Sequence, residues 1–132
     1  VELCYSGRYT YQELMRKMVG RGGLIAHLGT GDAREVERRI DAGDEQAALV
    51  YQAMAYQIAK ELAAMTVVVN GSFDAIVLTG GLAYSRRLVE MIRERVQFLG
   101  QVLVYPGEDE LLALAQGALR VLHGEEKAKV YE

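Results

Sequence analysis

Between residues 74 and 98 the apolar pattern changes its period. Ala75-Ile76-Val77-Leu78 is a short, wholly apolar run with two β-branched residues, which predicts a strand buried on both faces. The run ends in Thr79-Gly80-Gly81, and beyond it Leu88, Val89, Ile92 and Val96 recur at helical spacing to about residue 98. A buried strand, a Gly-Gly turn and a helix place a ligand at the carboxyl end of the strand, as open α/β sheets generally do. Two residues without Cβ let backbone approach a flat ligand closely, though Gly-Gly also serves as a plain tight turn.

The rest of the chain follows in order. Residues 1–9 show no clear period. Thr10 and Glu13 fit a capping box, predicting a helix to about Val19 that stops at Gly20-Arg21-Gly22-Gly23. Leu24 to Leu28 is too short to assign, and strand or helical turn are both open. Asp32 as N-cap with Glu35 at N3 starts a helix that turns Val36 and Ile40 inward and ends at Ala42-Gly43. Asp44 caps the longest helix, about residues 45–69, with Ala47, Val50, Tyr51, Met54, Ile58, Leu62 and Met65 facing a core. Ala48, Ala55, Ala59 and Ala63 would admit another helix closely, from this domain or from a partner subunit. Val102 to Tyr105 predicts a second strand, closed by Pro106-Gly107. Glu108-Asp109-Glu110 opens a last helix, Leu111 to about Leu122, with Leu111, Leu114, Ala115, Ala118 and Leu122 inward. The tail from Gly124 is polar and is expected to fray.

Strand, helix, strand, helix after residue 72 makes a parallel pair under right-handed crossovers, an α/β arrangement. At 132 residues the chain has the size of one domain. It is 51% apolar and 25% charged, with net charge −3, so there is no basic stripe and no electrostatic reason to expect nucleic acid. No run is long enough to span a membrane. A single cysteine, Cys4, allows neither a disulfide framework nor a multi-cysteine metal cluster, and a reducing, cytoplasmic setting is the default expectation. The chain opens at Val1 without Met, and two strands make a thin sheet, so a fragment is expected.

The catalytic motifs are mostly excluded. Neither G-x-S-x-G nor G-x-x-x-x-G-K-[ST] occurs, and Gly29-Thr30-Gly31 lacks the third glycine of a dinucleotide loop. His27 and His123 share no ligand spacing, and Cys4 has no visible base. Three places remain. Asp32 and Arg34 offer a carboxylate and a planar guanidinium for stacking or ribose contacts. Gly80-Gly81 offers close backbone approach, and the three acids at 108–110 could hold the water shell of Mg²⁺ or only complement the helix dipole.

The runs Leu3 to Gly7, Gly22-Gly23-Leu24, Leu28 to Glu37, Gly43-Asp44-Glu45, Ala53 to Lys60, Asp74 to Tyr84 and Val104 to Glu110 stand in one order along nearly the whole chain. In these runs the chain resembles the C-terminal part of butyrate kinases, in the acetate/butyrate kinase family of the sugar kinase, heat-shock ATPase and actin superfamily. The resemblance implies the C-terminal portion of a ribonuclease H-like (actin-like ATPase) domain, residues 1–132, from a two-domain kinase. It implies ATP and ADP with Mg²⁺ as cofactors, a short-chain carboxylate substrate and a homodimer in the cytoplasm. Gly80, Gly81 and Leu82 would line the adenine pocket, with Asp32, Ala33 and Arg34 beside adenine and ribose. Glu110 would help hold Mg²⁺, with Glu108 and Asp109 as competitors. The family's catalytic arginine and histidine would precede Val1, which leaves no catalytic residue here and an isolated chain that does not catalyse.

Overall fold

A computed structural model of the chain describes residues 1–107 and 109–130. Seven α-helices and two strands follow one another among these residues. The first nine residues include a single helical turn, α1 (Glu2–Tyr5). α2 (Tyr11–Met18) starts on the expected capping box, in which Thr10 Oγ1 accepts from the Glu13 N–H at 3.3 Å and Glu13 Oε2 accepts from the Thr10 N–H at 2.8 Å. The ambiguous run at 24–28 is helical, as α3 (Gly23–Leu28), ended by Gly29 in the left-handed region at φ 75°. α4 (Ala33–Asp41) follows, with Val36 wholly buried and Ile40 half-buried.

α5 (Glu45–Thr66) is the central element, capped by Asp44, whose Oδ1 accepts from the Ala47 N–H at 2.9 Å. It stops three residues short of the expected end. Val67-Val68-Val69 tightens into a 3₁₀ turn, because three β-branched side chains in succession crowd a helix. Ala47, Tyr51, Ala55 and Ala59 are buried, whereas Met65, expected inside, is exposed. The core joins these four residues to Leu28, Val36, Ile76, Leu88, Ile92 and Val96. Ala55 and Ala59 therefore serve contacts inside the domain, in which α6 (Arg86–Val96) packs along α5.

The sheet has two parallel strands, β1 (Ala75–Gly80) and β2 (Gln101–Pro106), with Ala75 opposite Gln101 and Gly80 opposite Pro106. Ile76, Leu78 and Val102 pack toward the core. Burial on both faces is not what the structure has. Val77 is 53% exposed and Tyr105 lies open on the same face, since the described helices cover one side only. α7 (Glu110–Leu122) likewise has an apolar stripe but no buried residue, and Leu111 is 84% exposed. Period reveals which face of an element is apolar; it does not supply the surface opposite.

Candidate functional site

Two loops distant in sequence meet at the carboxyl end of β1. The first is built from the α3–α4 connection. Arg39 Nη1 donates to the Leu28 carbonyl at 2.9 Å while its Nη2 pairs with Asp44 at 2.7 Å, which fastens the end of α3 to the turn before α5. Thr30 Oγ1 accepts from the Asp32 N–H at 3.2 Å and donates to Glu35 Oε2 at 2.8 Å. Asp32 Oδ1 then caps α4 by accepting from the Arg34 N–H at 3.0 Å. Glu35 sits at N3 as expected, yet it serves the threonine hydroxyl rather than the Asp32 backbone.

Arg34 closes on Asp32 through two hydrogen bonds, Nε to Oδ1 at 3.0 Å and Nη2 to Oδ2 at 2.8 Å. This pairing holds the Asp32 carboxyl down to about 2, with the cap bond from the Arg34 backbone assisting. The Arg34 side chain is 88% exposed. Its guanidinium is oriented in plane by one carboxylate and its faces lie open.

The second loop is the Gly80-Gly81 turn. Gly80 has φ 83° and ψ −178°, a combination open essentially to glycine alone, and a Cβ there would meet nothing within 4 Å. Its N–H donates to the Gly107 carbonyl at 3.2 Å, and the Gly107 N–H returns a bond to the Gly80 carbonyl at 3.3 Å. This antiparallel bridge ties the ends of two parallel strands. Gly107 has its own constraint, since a Cβ would come within 3.2 Å of the Tyr84 hydroxyl. From Gly81 to Tyr84 the chain makes a 3₁₀ turn, and Ser85 Oγ caps α6 by accepting from the Leu88 N–H at 2.9 Å.

Between the loops lies a cleft of about 840 Å³ lined by Asp32, Ala33, Arg34, Gly80, Gly81 and Leu82, together with Gly31, Glu37, Thr79, Tyr84 and Ser85. The six residues that the resemblance places at the nucleoside thus wall one cavity, of a volume suited to a small-molecule ligand. A smaller cleft of about 470 Å³ shares Thr79 and Gly80 with it and is lined by Asp109 and Glu110. Glu108 lies outside the described residues. His27 and His123 line neither cleft.

Sequence reasoning passed over a polar network on the inner wall. The Tyr51 hydroxyl donates to Glu37 Oε1 at 2.7 Å, and Ser85 Oγ donates to the same oxygen. Tyr51 is wholly buried, and burial pushes its phenol up to about 12, so it remains a donor. Arg87 adds a pair with Asp41 at 2.7 Å, tying the end of α4 to α6. Glu37 was detectable as the residue one turn beyond Arg34 on the same helix face. Its partners lie 14 and 48 positions away, beyond the reach of local spacing.

The acetokinase family profile matches residues 5–128. Over 131 residues the chain is 58% identical to "Probable butyrate kinase 2" of Caldanaerobacter subterraneus subsp. tengcongensis, a match covering 99% of this chain and 37% of that protein. The chain spans a little over a third of the length of the curated relative that it matches.

Proposed function

The chain belongs to the acetokinase family, whose fold is that of the actin-like ATPases, and we propose that its larger cleft is the adenosine pocket of an ATP-dependent carboxylate kinase. The observation that carries this reading is the convergence of Asp32-Ala33-Arg34 and Gly80-Gly81-Leu82 on one cavity. The exposed guanidinium of Arg34 offers a flat cationic face for a base, and the backbone at Gly80 offers a wall that no described side chain obstructs. Asp32 holds the exposed guanidinium in one orientation.

The smaller cleft continues the same site toward the phosphates in this reading. Among the described residues no group of three or more metal-binding side chains exists. Asp109 and Glu110 supply two carboxylates beside Thr79 and Gly80. Such a set suits Mg²⁺, which typically uses one or two carboxylates and completes its shell with waters and phosphate oxygens. Glu110 is the residue we assign to it. When bound, the ion would neutralise charge on the nucleotide's phosphates. The chain's own part is to seat the nucleoside and fix the direction in which the phosphates leave it.

The whole protein, in this reading, converts butyrate and ATP into butyryl phosphate and ADP, with acetate or a branched short-chain acid as alternative substrates. The chain alone would bind nucleotide without transferring phosphate. Calorimetry with ADP and Mg²⁺ tests the pocket: wild-type binding with about tenfold loss in Arg34→Ala is expected, the scale of one cation–π contact. No ADP binding by the wild type would refute the reading. Hydroxamate formation from a panel of short-chain acids by the protein then ranks the substrates.

A further inference from the structure

Among the described residues, Glu37 is the acid on the wall of the larger cleft that forms no direct ion pair, although the charge of Arg87 acts on it from α6. Asp32 is occupied by Arg34, while the hydrogen bonds to the Glu37 carboxylate come from hydroxyls, those of Tyr51 and Ser85. Both hydroxyls converge on Oε1, and Oε2 has no hydrogen-bond partner among the described residues. The site therefore presents a single fixed acceptor. Its anchorage is firm on the core side, because Tyr51 is wholly buried on α5 and Ser85 is itself fixed as the cap of α6.

Position along α4 decides what this acceptor meets. Arg34 is exposed at the mouth, and Glu37 is one helical turn further on, fastened to the buried Tyr51. A flat base stacked on the guanidinium with its sugar toward the mouth would bring its edge toward that inner wall. A carboxylate with both oxygens open suits the paired ring and amino N–H groups of guanine. One with a single open oxygen suits a lone amine.

We propose that Glu37 selects the base, accepting one N–H of the 6-amino group of a purine and so preferring adenine nucleotides. The proposal rests on the adenosine reading of the cleft. Tyr51 and Ser85 act as positioning residues that keep Oε1 occupied and Oε2 turned to the ligand.

Three diphosphates test this by calorimetry: ADP, purine riboside 5′-diphosphate, which lacks the amine, and inosine 5′-diphosphate, which has a carbonyl in its place. Wild-type protein should bind ADP at least about tenfold more tightly than the purine riboside compound, the usual scale of a hydrogen bond to a charged group. In Glu37→Gln the amide oxygen stays with the two hydroxyls and the amide NH₂ faces the ligand. The ADP preference should then shrink to within about twofold, and the inosine compound should gain on both others. The wild-type ratio needs no variant to fold, and a thermal melt of Glu37→Gln accompanies the comparison. A wild-type ratio near one overturns the proposal, as does equal weakening of all three ligands in Glu37→Gln, which would put the carboxylate on the ribose. Failure of the wild type to bind any of them would refute the adenosine reading itself, and this proposal with it.

Discussion

Asp32 serves a helix and a side chain with one carboxylate. Oδ1 accepts both the Arg34 N–H and Nε, and Oδ2 accepts Nη2. Because its folded value is depressed from 3.8 to about 2, its contribution is complete above the ordinary carboxylate range and fades as pH falls from there through about 2. An NMR titration of the Asp32 carboxyl should therefore show a midpoint near the lower value in wild type. Arg34→Ala should move it back toward the ordinary range, and a wild-type midpoint already near 3.8 would disprove the pairing in solution. The cap at Asp32 was legible in sequence, because it acts over two positions, whereas the closing of Arg34 on the same carboxylate came from the fold. The place of Glu37 one turn beyond Arg34 was visible too, but its role was not, since that comes from Tyr51 and Ser85, which only the fold brings near.

At the scale of elements, α5 owes its close packing to alanines. Ala55 has no exposed surface, and α6 lies against this side of the helix. Ala55→Leu should destabilise the protein by about 1–3 kcal/mol through overpacking, measured as a lower midpoint in urea. No shift would mean that α6 stands further off than the structure has it. Helix starts were well predicted, since Thr10, Asp32 and Asp44 declare themselves by chemistry that acts within three residues. Burial was predicted less well. Val77 and Leu111 lie on apolar faces of a strand and a helix, and nothing local indicates that no described element stands over them. Leu24 to Leu28, too short for any period to decide between strand and helical turn, is settled as helix only by the fold.

The whole molecule leaves several large apolar side chains in contact with water, Leu49 and Tyr56 of α5 among them. The homodimer inferred from the resemblance cannot use Ala55 and Ala59, which the core has consumed. If a second copy pairs through α5, it meets the outer side of that helix. Sedimentation velocity at micromolar concentration should show a dimer that Tyr56→Lys weakens, and a clean monomer in wild type would count against self-association through this helix. The order of elements after residue 72, the parallel pair, and the Asp32 and Gly80-Gly81 positions on the two walls of the larger cleft were readable because glycines, caps and β-branched runs mark them. The closing of those walls upon each other was not, being a property of the tertiary path.

The glycine bridge at the strand ends has a consequence for measurement. The amide protons of Gly80 and Gly107 are each bonded to the other residue's carbonyl, so neither is released to solvent unless the pair parts. Their exchange for deuterium should follow one common opening rate, slower than that of the surrounding turn. Gly80 also borders both clefts. Two backbone protons can thus serve as a built-in gauge of occupancy, slowing when either cleft is filled, with no label attached and no residue replaced.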